Sequence, residues 1–72
     1  MDNNLQYIIE ITNNENKYYV FNRRILLHNT NMAKTFSDYK KAYNYYKRSE
    51  YYKTDDSVRI VKYDKAADKI IY

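Results

Sequence analysis

The chain has 72 residues, with no Cys, Gly or Pro, and 13 basic against 9 acidic residues give a net charge of +4. That length sits near the lower limit for a self-sufficient core and allows one domain over residues 1–72. Without Cys there is neither a disulfide framework nor a thiolate metal site. The mild positive balance permits an anionic partner without demanding one. No apolar run is long enough for a signal segment or a membrane span, so a soluble, cytoplasmic protein with no membrane partner is expected.

Asn, Lys, Tyr and Ile supply 36 of the 72 residues. All four use AT-rich codons, so part of the tyrosine excess reflects base composition. With eleven Tyr and few aliphatics, several tyrosines must be half-buried with the hydroxyl reaching water.

Residues 1–4 are polar and expected to fray. Leu5 to Thr12 reads as a strand, with Leu5, Tyr7, Ile9 and Ile11 on one face and Gln6, Ile8, Glu10 and Thr12 on the other. Asn13-Asn14-Glu15-Asn16 reads as a turn, Asn being the residue best able to take a positive φ where Gly is absent. Lys17 to Asn22 completes a hairpin. Residues 22–24 form a second turn and Ile25 to His28 a third strand; residues 17–29 as one bent strand is the alternative. Met32 to Phe36 is extended.

One helix is expected over about 37–52, with Ser37 as its N-cap and Lys47, Arg48 and Lys53 favouring its negative end. A polar loop over 54–57, a strand from Val58 to Tyr63, a turn at 64–68 and a last strand from Lys69 complete the chain. The fold class expected is α+β: a mostly antiparallel sheet of four to five strands with the helix across one face, in the order ββ(β)αββ.

At about 100° per residue, Tyr39, Ala42, Tyr43, Tyr46 and Ser49 fall in one arc, which is assigned to the sheet. Lys40, Lys41, Asn44, Lys47, Arg48 and Tyr51 fall opposite, with Tyr45 and Tyr52 at the border. Two readings of that outer face stay open. It is a solvated basic face, or it is a contact surface in which cations attract an anionic partner and tyrosines anchor it. The candidate contact residues are Lys40, Lys41, Tyr45, Lys47, Arg48, Tyr51 and Tyr52, joined by Arg23 and Arg24 if their turn lies nearby.

No catalytic constellation is evident, and the expectation is a non-enzyme with no metal and no cofactor. The single His28 has no Cys beside it to form a ligand pair. Asp55-Asp56, Asp64 and Asp68 lack the spacing of a calcium loop. The absence of Gly excludes the familiar phosphate-cradling loops. One credible helix argues against helix-turn-helix, and Tyr18-Tyr19-Val20-Phe21 lacks the glycines of an aromatic RNA-binding strand.

The phrases Ala33-Lys34-Thr35-Phe36-Ser37-Asp38-Tyr39-Lys40-Lys41-Ala42 and Val58-Arg59-Ile60-Val61-Lys62-Tyr63 are similar to strand–helix–strand units of small accessory proteins. In size, composition and layout the whole chain resembles such proteins of phages and mobile elements of AT-rich bacteria, among them the anti-CRISPR inhibitors. The resemblance implies occlusion in the bacterial host cell: a small rigid surface binds a host protein or ribonucleoprotein, a defence nuclease above all, and blocks nucleic-acid access or assembly. It carries over no site residue, and the basic charge argues against DNA mimicry. The other function classes are a small nucleic-acid-binding regulator that uses the basic helix face, and a self-associating structural protein. The chain is a monomer, or a homodimer paired through a sheet edge at Leu5–Thr12 or Lys69–Tyr72.

Overall fold

A computed structural model describes residues 5–52 and 57–71. The expectations for residues 1–4, for most of the polar loop before Ser57 and for Tyr72 lie outside the described residues. In chain order the elements are β1 (Leu5–Asn13), β2 (Asn16–Val20), β3 (Leu26–Leu27), α1 (Tyr39–Lys47), β4 (Ser57–Asp64) and β5 (Lys69–Ile71). The strands form one antiparallel sheet in the order β3-β2-β1-β4-β5, with a single helix among the described residues, so the fold is a small α+β fold.

β1 is the central strand, because both of its faces can be buried. Ile9 and Ile11 stand opposite Ile60 and Val58 of β4 and pack toward Ala42 of the helix. Ile8 stands opposite Val61 and packs on the other face with Tyr19, Ala33 and Tyr63. Ile8, Ile9 and Ile11 are fully buried, each stabilising the fold by roughly 1.5–3 kcal/mol. The segment Leu5–Thr12 is therefore not a free edge; the outer strands are β3 and β5.

Glu10 is buried on the face away from the helix. In register it lies between Tyr19 of β2 and Arg59 of β4, and the Tyr19 hydroxyl donates to its Oε2 at 3.4 Å. A carboxylate is tolerated there because its cross-strand neighbours are a hydroxyl donor and a cation.

The β1–β2 hairpin closes with a two-residue loop in which Asn14 and Glu15 take φ of 51° and 73°. Two successive positive φ values match the right-handed twist of the strands. Asn14 is the expected choice; Glu15 has the less suitable side chain.

Residues 17–29 are two strands, not one bent strand. The Asn22 side-chain carbonyl accepts from the N–H groups of Arg24 and Ile25 at 2.8 and 2.9 Å, which turns the chain back without Gly or Pro. β3 is shorter than the expected Ile25–His28, because the chain then crosses the sheet. Ala33 packs against the face away from the helix, and the Thr30 hydroxyl donates to Asp68 Oδ1 in the β4–β5 turn at 2.6 Å. Tyr63 also donates its hydroxyl to that oxygen. The chain then returns to the helix side. The Lys34 N–H donates to Val20 O at 2.9 Å, and Phe36 exchanges two backbone hydrogen bonds with Tyr7. The expected extended run from Met32 is thus a turn at its start, with Lys34 making one backbone hydrogen bond to β2 and Phe36 forming a two-bond β-bridge to β1.

The helix is shorter than 37–52 at both ends. Asp38, not Ser37, is the N-cap: its carboxylate accepts from the Lys41 N–H at 2.8 Å. Asp ranks with Ser as a cap and adds a charge that suits the dipole. At the other end Arg48 is the C-cap, and the Ser49 hydroxyl donates to Tyr46 O at 2.6 Å while accepting from the Tyr51 N–H. The Glu50 N–H reaches Arg23 O, which draws the chain off the helix axis toward the β2–β3 turn.

Candidate binding surface

Ala42 is fully buried and is the point where the helix rests on the sheet, since no larger residue allows so close an approach. Its position divides the helix tyrosines differently from the expected arc. Tyr39 and Tyr43, assigned to the core, are 55% and 41% exposed. Tyr45, placed at the border of the outer face, and Tyr51, placed on that face, are half-buried against the core beside Ala42. Tyr46 is half-buried, as its place in the arc requires. The physical reason is that Tyr45 and Tyr46 lie on either side of the Ala42 direction, and both close over it.

The two flanks of the helix differ in chemistry. On the first, the Tyr45 ring packs against Phe36 with centroids 5.3 Å apart. The Arg23 guanidinium lies 5.6 Å from the centre of the Tyr45 ring and the Lys34 ammonium 5.2 Å from it. Lys34 is also 5.7 Å from the Phe36 centroid. These distances suit cation–π attraction, which holds the cations in place without neutralising them. A cleft of about 290 Å³ is lined by Arg23, Phe36, Lys41, Asn44, Tyr45 and Arg48, and a second of about 430 Å³ by Asn22, Arg23, Arg24 and Tyr45. No carboxylate is among the described residues that line either cleft.

Arg23, Lys41, Tyr45 and Arg48 are therefore brought together as the sequence suggested. Arg24 pairs with Glu50, its Nε 3.3 Å from the carboxylate, and contributes less uncompensated charge. Tyr51 is a structural residue: its hydroxyl donates to Asn22 O at 3.2 Å and ties the post-helix segment to the β2–β3 turn. Burial raises its pKa above the usual phenol value, with Glu50 and then Tyr45 adding to the shift. Lys40, Lys47 and Tyr52 do not line these clefts. Lys34 was missed, because it lies in an irregular segment with no periodicity to mark it.

On the second flank the rings form a run: Tyr7 to Tyr39 at 6.2 Å, Tyr39 to Tyr43 at 6.4 Å, Tyr43 to Tyr46 at 6.2 Å and Tyr46 to Tyr52 at 5.4 Å. Burial raises the Tyr46 pKa, with Tyr52 and Tyr43 adding to it. Lys47 sits 5.5 Å from the Tyr43 ring centre. Tyr39, Tyr43 and Tyr46 face Val58, Arg59 and Ile60 of β4 across a cleft of about 500 Å³.

Among the described residues no group of three or more His, Asp or Glu side chains is placed to hold a metal ion. No helix among them is long and apolar enough to cross a membrane. The single His28 lies against Tyr18, ring centroids 4.7 Å apart. The chain matches no protein-family model, no curated protein and no solved structure.

Proposed function

We propose that this chain is a non-enzymatic binding protein that docks its Tyr45 flank on the phosphate backbone of a nucleic acid, free or held in a ribonucleoprotein. One observation carries the reading: Arg23 and Lys34 lie over one half-buried ring, and Lys41 and Arg48 line the cleft beside it, so three separate segments supply four cations. Four cations gathered at one place attract phosphates, and fixing two of them over a ring lowers the entropy lost on binding. A protein of this size that covers a backbone excludes other proteins from it. The resemblance to anti-CRISPR inhibitors suggests the cytoplasmic nuclease ribonucleoprotein of a bacterial host as the partner, with occlusion as the mode of inhibition.

The test is affinity for nucleic acid across a salt series, with a variant carrying Glu at positions 23, 34, 41 and 48. For four phosphate contacts, log affinity falls against log salt with a slope of roughly −3 to −4, and the variant loses binding. Affinity indifferent to salt, or unchanged in the variant, rejects the reading. Co-purification with CRISPR effectors, followed by a cleavage assay, tests the partner; binding to nucleic acid without any effect on cleavage removes the inhibitor assignment alone.

A further inference from the structure

The second flank of the helix is not used by the Tyr45 cluster, and its rings are more exposed than folding needs. Tyr39, Tyr43 and Tyr52 are all open to solvent, and the rings of Tyr39 and Tyr43 lie within 16° of parallel. From Tyr39 to Tyr46 the ladder spans about 10 Å of helix axis at 1.5 Å per residue. That is the length of two to three base steps at about 3.4 Å each. Cations border it. Lys47 stands over Tyr43, and Lys40 follows Tyr39 on the exposed ridge. The nearest carboxylate in sequence is Asp38, whose Oδ1 is engaged in capping the helix.

We infer that the Tyr39–Tyr43–Tyr46 ladder is a stacking platform for the unpaired bases of a single-stranded nucleic acid, with Lys40 and Lys47 taking the adjoining phosphates. The inference rests on the nucleic-acid reading above and deepens it, because the Tyr45 flank contacts only backbone and does not distinguish a single strand from a duplex. Rings discriminate. A duplex keeps its base faces stacked inside, whereas a single strand offers them to a tyrosine ladder. Cations beside the rings favour the same occupant, since each nucleotide brings one flat apolar base and one negative charge. Stacking accepts any base, so the platform is indifferent to sequence.

The experiment measures anisotropy of labelled oligothymidine, oligouridine and a duplex of equal length with the intact chain at low salt. The variants are Tyr39→Ala with Tyr43→Ala, and Tyr39→Phe with Tyr43→Phe. The expected result is tighter binding of the single strands than of the duplex. The Ala pair lowers single-strand affinity by about tenfold or more and leaves duplex affinity unchanged. The Phe pair keeps the rings and the affinity, which separates stacking from loss of fold. Equal binding of duplex and single strands, or an Ala pair with unchanged single-strand affinity, overturns the ladder while the backbone reading survives. If no oligonucleotide binds at all, both readings fail.

Discussion

The Arg23 guanidinium lies 5.6 Å from the centre of the Tyr45 ring, and so joins the β2–β3 turn to the helix. Lys34 approaches the same ring from the segment that precedes the helix, at 5.2 Å. Tyr45 thus has two duties, covering Ala42 and ordering two cations. Replacing the ring by an aliphatic side chain keeps much of the first duty and removes the second. Tyr45→Leu is expected to lower stability by about 1–2 kcal/mol, from two cation–π contacts of about 0.5–1 kcal/mol each. Tyr45→Phe, which keeps the ring, is expected to change it by less than half as much. Denaturant unfolding checks the pair, and equal losses in the two variants would refute the cation–π account.

The face away from the helix is closed by one loop, and Asp68 holds that loop. Hydrogen bonds from Thr30 and then Tyr63 to its carboxylate depress its pKa below the usual 3.8. A depressed carboxylate contributes stability that is present above its unfolded value and is lost as pH falls through the lower folded value. Stability should therefore decline below pH 3.8 with a component that Asp68→Asn removes. Unfolding followed at a series of acidic pH values tests this; a variant with an unchanged acid limb contradicts it.

At the β1–β2 hairpin the opposite change is expected. Glu15 takes a φ of 73°, where its Cβ crowds the backbone, and its side chain is exposed. Asn followed by Gly is the pairing this loop geometry prefers. Glu15→Gly removes the clash, and it is expected to raise stability by about 1 kcal/mol despite the extra freedom of the unfolded glycine. A fall in the thermal midpoint would show that the left-handed conformation costs little here.

The legibility of these features follows from how local their causes are. Alternation along Leu5–Thr12 marks a strand, and Asn14 marks its turn, because both depend on neighbouring residues. Coverage of the second face by Ala33 and Thr30 was not legible, since Thr30 meets Asp68 across 38 positions and no periodic pattern links them. The helix face was misread for another reason. Tyrosines lie on both sides of Ala42, so an angular plot cannot choose between Tyr39 with Tyr43 on one side and Tyr45 on the other. Over nine helical residues the choice is made by the one small side chain, and Tyr51 joins the core only because Ser49 and Glu50 bend the chain back. The same locality explains the site residues. Lys41 and Arg48 share a helix side by spacing, whereas Lys34 reaches Tyr45 through a backbone bond to Val20.

The dependence on Ala42 can be tested directly. It has no exposed surface and sits among Ile9, Ile11 and Val20. Ala42→Leu adds three carbons where none fit, forcing the helix away from β1 at an expected cost of about 1–3 kcal/mol. The strain should also disturb the ring contacts on both flanks, visible as a change in near-ultraviolet circular dichroism from the tyrosines. A variant as stable as the parent, with an unaltered tyrosine signal, would mean that the helix does not rest on this residue.

Adjacent arginines give the sharpest test of which cations face a partner. Arg24 and Glu50 form an exposed ion pair of the kind worth at most about 1 kcal/mol, so removing Arg24 should affect stability little. Removing it also leaves Glu50 nearby, with one charge lost from the margin of the cluster. Arg23 differs: it lines both clefts beside Tyr45, and no carboxylate is among the described residues that share them. Arg23→Gln should lower nucleic-acid affinity and reduce the magnitude of the salt slope by about 1, the signature of one lost phosphate contact. Arg24→Gln should lower affinity by less and leave the slope nearly unchanged. Both variants carry the same net charge, so a general attraction by the basic chain would weaken them equally. Equal slopes in Arg23→Gln and Arg24→Gln would therefore argue for diffuse electrostatics, and a reversed order would move the contact from Tyr45 to the Glu50 side of the turn.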